Sequence, residues 1–247
     1  MRRKWTATEI SLLAERYPQE GASRLAAEFT RSPDAITSMA RRLRIPSQRH
    51  RTRQAIRRAE TATTVNARFF DSENPRVAWC LGVIWGCGLL KTRHRHVLKL
   101  TVSACHERLL RTTLSVLGSR HHVQRTSSRL IVEIGNSRLV RSLVTHFGRP
   151  PSRRGEDQGL PRLRPALLRH FAAGLLASAG LSSPRGISWS GTPRTIKELV
   201  EGVQRATGVG VPSWHYGQGE CRAAWTDPAE VATIRSWLLV GSPASPH

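Results

Sequence analysis

Acidic residues are scarce in this 247-residue chain, 17 against 39 lysines and arginines, which leaves a formal net charge of +22 and a pI near 11.7. An imbalance of that size directs the protein to a polyanion, with nucleic acid the default. No apolar run reaches the roughly 18 residues that a membrane-spanning helix needs, and no signal-peptide pattern opens the chain. An anionic membrane is therefore set aside, and the expectation is an intracellular, cytoplasmic protein associated with the nucleoid. Cysteine is also sparse. Cys80, Cys87, Cys105 and Cys221 form no C-x-x-C pair, which argues against a disulfide scaffold or a zinc ribbon. A set drawn from Cys87, His94, His96, Cys105 and His106 matches no zinc spacing, so neither metal nor cofactor is expected. Lysine is nearly missing, with only Lys4, Lys91, Lys99 and Lys197 among the 39 cations. Arginine supplies the rest and suits bidentate contacts to phosphate and guanine. A hydrophobic fraction of 39% is enough for a folded core.

Residues 1–46 read as a compact helical unit. Thr6 and Glu9 have capping-box spacing ahead of Ile10, Leu12 and Leu13. The pattern predicts a first helix ending near Tyr17-Pro18, a second over residues 23–29, and a third opened by Ser32-Pro33-Asp34, in which Ala35, Ile36, Met39, Ala40 and Leu43 recur at helical spacing. Two short helices joined by a tight turn make a helix-turn-helix. Its last helix would offer Arg31, Ser32, Asp34, Thr37, Ser38, Arg41 and Arg42 to a major groove. Residues 47–65 follow as a basic linker. Arg49, Arg51, Arg53, Arg57 and Arg58 precede any acid there and suit a phosphate backbone.

The remainder repeats itself. Residues 66–148 contain an apolar helix closing on Gly88, an alternating strand over 97–102, an amphipathic helix over 106–117, a hairpin built from 123–125 and 130–134, and a helix over 137–147. Residues 160–240 run through a second copy: a helix over 165–179, a strand at 187–190, a helix over 194–207, strands near 214–216 and 222–225, and a helix over 228–239. The order is α-β-β-α-β-β-α twice, a mixed α/β (α+β) class, with the first hairpin of the second copy shortened around Pro184-Arg185. Residues 149–159, rich in Pro, Arg and Gly, would link the copies, and 241–247 would be a disordered tail. Within the two apolar helices small residues recur four apart, Gly82 with Gly86 and Gly174 with Ser178, which would let two backbones approach closely.

The paired helices Ala78-Trp79-Cys80-Leu81-Gly82-Val83-Ile84-Trp85-Gly86-Cys87-Gly88 and His170-Phe171-Ala172-Ala173-Gly174-Leu175-Leu176-Ala177-Ser178-Ala179-Gly180 resemble those of the LAGLIDADG homing endonucleases. The first 46 residues resemble the Myb/SANT-like helix-turn-helix that accompanies such domains. The resemblance implies a monomer with an internal pseudo-two-fold axis: the two helices form the seam, and two sheets sit as a saddle on duplex DNA. It would place Lys91, Arg93, Arg95, Lys99, Thr101, Gln124, Arg129 and Glu133 on the DNA face of the first sheet. Arg185, Ser188, Ser190, His215, Gln218 and Arg222 would lie on that of the second. Trp189, Trp214 and Trp225 are expected in the core rather than stacked on bases. The family cuts DNA with divalent cations held by an acidic residue before each helix-closing glycine, and here those positions are Cys87 and Ala179. A methyl group supplies no oxygen ligand and a thiol is a poor one for Mg²⁺. Asp71 and Glu73 precede the first helix by about twelve helical residues, roughly 18 Å, and Glu156 and Asp157 stand similarly before the second. The reading is a double-stranded DNA-binding, regulatory protein on a scaffold without nuclease chemistry. Bacterial regulators that fuse the two modules place the helix-turn-helix last, the reverse of the order here. Two other readings stand beside it: an active metal-dependent homing endonuclease, and an RNA-binding, maturase-like splicing factor.

Overall fold

The computed structural model describes residues 5–45, 65–92, 96–151, 158–217 and 219–239. The chain divides into two compact units, residues 1–60 and 61–247.

The first unit contains α1 (Ala7–Glu20), α2 (Ala22–Glu28) and α3 (Pro33–Arg42). The Thr6–Glu9 capping box opens α1, satisfying backbone N–H groups that have no partner inside the helix. Contrary to the expected stop near Tyr17-Pro18, α1 runs on past Pro18 to Glu20. Pro18 falls in the last turn, where its missing N–H costs a single helical bond, and Arg16 ties that turn down through Glu20 at 2.8 Å. Thr30 closes α2 with a left-handed φ of 50°. Ser32 then caps α3 by accepting from the Ala35 N–H at 3.2 Å. Leu13, Tyr17, Leu25, Phe29, Ile36 and Ala40 fill the interior.

The second unit consists of two copies of one pattern. The first copy is α4 (Pro75–Cys87), β1 (Gly88–Lys91), β2 (Val97–Ser103), α5 (Glu107–Val116), β3 (Gln124–Arg125), β4 (Arg129–Gly135) and α6 (Ser137–Phe147). The second is α7 (Leu168–Ala179), β5 (Gly180–Ser183), β6 (Gly186–Gly191), α8 (Pro193–Thr207), β7 (Ser213–Tyr216), β8 (Cys221–Trp225) and α9 (Pro228–Leu239). Asn side chains start two of these helices: Asn74 accepts from Val77 N–H and Asn136 from Leu139 N–H. A 3₁₀ turn at Pro165–Leu167 leads into α7, which begins three residues later than its apolar pattern implied.

Each copy builds a four-stranded antiparallel sheet in the same order, β1-β2-β4-β3 and β5-β6-β8-β7. Strands β1 and β5 are equally long. The shortening expected in the second copy lies in the connection instead, where Pro184 and Arg185 alone join Ser183 to Gly186. Alternation decides what each sheet buries. Leu98, Leu100, Val102, Leu130, Val132 and Ile134 turn inward in the first sheet; Ile187, Trp189, Cys221, Ala223 and Trp225 do so in the second. Trp189 donates its indole N–H to the Ala172 carbonyl at 2.9 Å, and Trp225 donates to Gly210 at 3.0 Å. With Trp214 half-buried against the same core, the three tryptophans serve packing.

Candidate nucleic-acid interface

The two glycine-closed helices pack directly on each other, backbone against backbone. A methyl placed on Gly174 would collide with the Trp79 carbonyl oxygen, and one on Gly82 with the Phe171 carbonyl oxygen and, at 2.6 Å, with the Leu175 nitrogen. Glycine is required where main chains come this close. One turn further on, Gly86 faces Ser178 and Ala179. The Ser178 hydroxyl donates back to the Gly174 carbonyl at 3.0 Å. Gly82, Gly86, Gly174 and Ser178 thus all lie in the contact between the two copies.

The seam ends at Cys87 and Ala179, each followed by a glycine that starts the first strand of its sheet. The Cys87 thiol donates to the Val83 carbonyl at 3.2 Å, and burial pushes its pKa up to about 12. It is a neutral, engaged thiol at physiological pH, and Ala179 presents only a methyl group. Neither fits a hard divalent cation, which takes oxygen donors. Among the described residues, no group of three His, Cys, Asp or Glu side chains is placed to hold a metal ion. Asp71 and Glu73 belong to the opposite end of α4. The Ser142 hydroxyl at 2.7 Å and Arg138 at 3.0 Å hold Asp71 below the usual carboxylate range. Glu73 accepts from the Arg164 backbone and guanidinium. Glu156 and Asp157 lie outside the described residues.

The opposite face of each sheet stays open. On the first sheet it carries Lys91, Lys99, Thr101, Gln124, Arg129, Ile131 and Glu133, as fixed by the pairing of Lys99 with Glu133, Thr101 with Ile131, and Ile131 with Gln124. Glu133 Oε1 lies 2.9 Å from Lys91 Nζ and 3.5 Å from Lys99 Nζ. These ammonium groups, Lys91 first, hold its carboxyl below the ordinary range. On the second sheet the open face carries Leu181, Ser188, Ser190, Ser213, His215, Arg222 and Ala224. Ser188 departs from its expected role. Only 3% exposed, it is covered by Arg222, whose Nε and Nη2 donate to its hydroxyl at 3.1 and 2.9 Å. Arg222 is the group presented there, and Ser188 is its support. Arg185 is exposed at the β5–β6 turn. Arg93, Arg95 and Gln218 fall outside the described residues, as do Arg49, Arg51, Arg53, Arg57 and Arg58.

In the first unit α3 has one exposed stripe, Asp34, Ser38, Arg41 and Arg42, opposite the buried Ile36 and Ala40. The Ser32 hydroxyl is used as the cap, and the Thr37 hydroxyl donates to the Pro33 carbonyl at 2.8 Å. Arg31 is not a groove-facing residue. Its side chain is only 8% exposed, 3.1 Å from Glu9 and 4.2 Å from the centre of the Trp5 ring. It pins the start of α1 to the α2–α3 turn. This role was hidden in the sequence because Glu9 lies 22 residues away. The pairing of Glu133 with two lysines was hidden for a similar reason, since it depends on strand register, which alternation alone does not fix.

No protein-family model matches the sequence, and no curated protein does. Among solved structures, the chain is similar to full-length WhiA (DUF199) from Thermatoga maritima, at 11% identity and a TM-score of 0.49; the match covers 70% of this chain and 59% of that one. It thus spans less than two thirds of the length of full-length WhiA. It is also similar to the N-terminal LAGLIDADG domain of WhiA, at 13% identity, a TM-score of 0.48 and coverage of 67% and 81%. A variant of I-DmoI in complex with its target DNA matches at 14% identity and a TM-score of 0.49, covering 66% of this chain and 93% of that one. These are likenesses of overall architecture.

Proposed function

We propose that this chain binds double-stranded DNA through the open faces of its two sheets and through α3, and that it acts by occupying its site rather than cutting it. The observation that carries this reading is the pair of like-ordered sheets, each buried on one face and open on the other, in a molecule of net charge +22. Antiparallel strands can enter a major groove and present alternate side chains to base edges. Arginine and lysine supply attraction to phosphates. In this reading α3, which follows a turn and carries the exposed stripe, is the recognition helix of a helix-turn-helix.

The ends of α4 and α7, where the LAGLIDADG resemblance expects metal-holding carboxylates, carry a protonated thiol and a methyl group. A protein that holds DNA without breaking it affects what else can occupy that stretch, which makes a regulatory role the natural consequence. The test is to incubate the full chain with duplexes selected from a random pool in Mg²⁺ or Mn²⁺, then resolve the strands under denaturing conditions. Retained but intact strands are expected. Nicks that EDTA abolishes would overturn the non-cutting reading, and preference for structured RNA over duplex would overturn the DNA reading. Cys87→Asp alone is expected to leave strands intact, because the Ala179 end still offers no carboxylate.

A further inference from the structure

The matching registers allow the two sheets to be compared position by position. Gly88 faces Leu100 at the start of the first sheet, and Gly180 faces Trp189 at the start of the second. Counting from those pairs, Lys91 corresponds to Ser183, Lys99 to Ser188, and Glu133 to Ala224. The first sheet thus carries two ammonium groups around one carboxylate where the second has two hydroxyls and a methyl group. Both lysines approach the same oxygen, Oε1 of Glu133. Among the described residues Oε2 has no partner, and the side chain is 44% exposed.

A carboxylate is an awkward group to bring against a polyanion. It gains nothing from phosphates, and losing its water is costly unless it meets a hydrogen-bond donor. Cytosine N4 is such a donor in the major groove, and its guanine partner shows two acceptors, O6 and N7, which suit a lysine ammonium. Across the sheet the order is Lys91 on β1, Lys99 on β2 and Glu133 on β4, matching the two acceptors and then one donor of a G·C pair, whereas an A·T pair sets its donor between two acceptors.

Resting on the proposed DNA-binding role, we propose that Glu133, held by Lys91 and Lys99, reads one G·C base pair under the first sheet, with its free oxygen accepting from cytosine N4 and a lysine donating to guanine. The second sheet cannot make this reading, so the cluster also distinguishes one half of the bound site from the other.

The test uses the full chain and its selected duplex, with each base pair exchanged in turn, for wild type, Glu133→Ala and Glu133→Gln. Wild type is expected to show a position where replacing G·C by A·T weakens binding roughly tenfold or more. Glu133→Ala should reduce that discrimination to within about twofold and leave the other positions unchanged. Glu133→Gln, which keeps the shape and can pair with adenine, should relax the same position toward A·T. Melting curves would verify that both exposed-site variants stay folded. The proposal is overturned if Glu133→Ala tightens binding to every duplex alike with an unchanged profile, because the carboxylate is then only a counter-charge. It is equally overturned if Glu133 proves to govern an A·T position. A wild-type chain that binds no duplex at all would refute the DNA-binding role itself, a different outcome from either.

Discussion

Gly174 sets the spacing between the two copies by lacking a methyl group. Alanine there would gain about 1 kcal/mol of helix propensity, but its Cβ would run into the backbone of Trp79 rather than into a side chain that could swing away. Gly174→Ala is therefore expected to cost about 3 kcal/mol, the upper end for overpacking. In a unit of this size that is roughly 6–12 °C in melting temperature. Gly135→Ala is the control. Nothing stands within 4 Å of a Cβ at Gly135, so a change within about 0.5 kcal/mol is expected. A second test at this scale is His170, only 2% exposed. Burial, and then the Arg169 cation, lowers its pKa below the ordinary 6.5. The folded state thus binds fewer protons than the unfolded one as pH falls through about 6.5, and stability declines from there downward. Asp71, Glu107 and Glu133, all lowered by basic or hydroxyl partners, add their losses only below the carboxylate range near 4.5. Stability measured between pH 7 and 5 should fall in wild type and fall less in His170→Leu; identical slopes would contradict this assignment.

Among the elements, α3 separates two kinds of arginine. Arg41 and Arg42 lie on its exposed stripe, so Arg41→Ala should weaken duplex binding and reduce the salt slope by about 0.9 without lowering the melting temperature. Arg31→Ala should do the reverse. Removing it leaves Glu9 without this cation and bares the Trp5 ring, costing the first unit about 2–3 kcal/mol, readable as faster hydrogen exchange in α1. Capping residues such as Thr6 and Ser32 were readable in the sequence because they act within three residues of themselves. The buried strand faces were readable from alternation, and the α4–α7 contact from its small residues. Three features were not. Pro18 suggested an end to α1, but in the last turn it costs a single helical bond and the Arg16–Glu20 pair holds that turn. Ser188 sits at an outward register position but under Arg222. The bounds of β1 and β5 were not readable, although their place in the order was: four residues are too short to show a period, and pairing with β2 and β6 sets where they run.

For the whole molecule, charge and asymmetry make separate claims. With α3 and both sheets engaged, about eight neutralised phosphates would give a log–log salt slope of roughly −7. A slope near zero would remove the electrostatic account. Asymmetry is the more telling property. The two copies share topology, yet Lys91, Lys99 and Glu133 have Ser183, Ser188 and Ala224 at the equivalent positions of the other sheet. One chain should therefore occupy one continuous, non-palindromic stretch, whereas a symmetric pair of chains would demand a palindrome. Footprinting of the full chain on its selected duplex, with the stoichiometry of the complex determined on the same sample, tests this most directly. The account predicts one chain per duplex protecting about 20 base pairs, two helical turns, with an extension on one side only; a palindromic consensus occupied by two chains would contradict it.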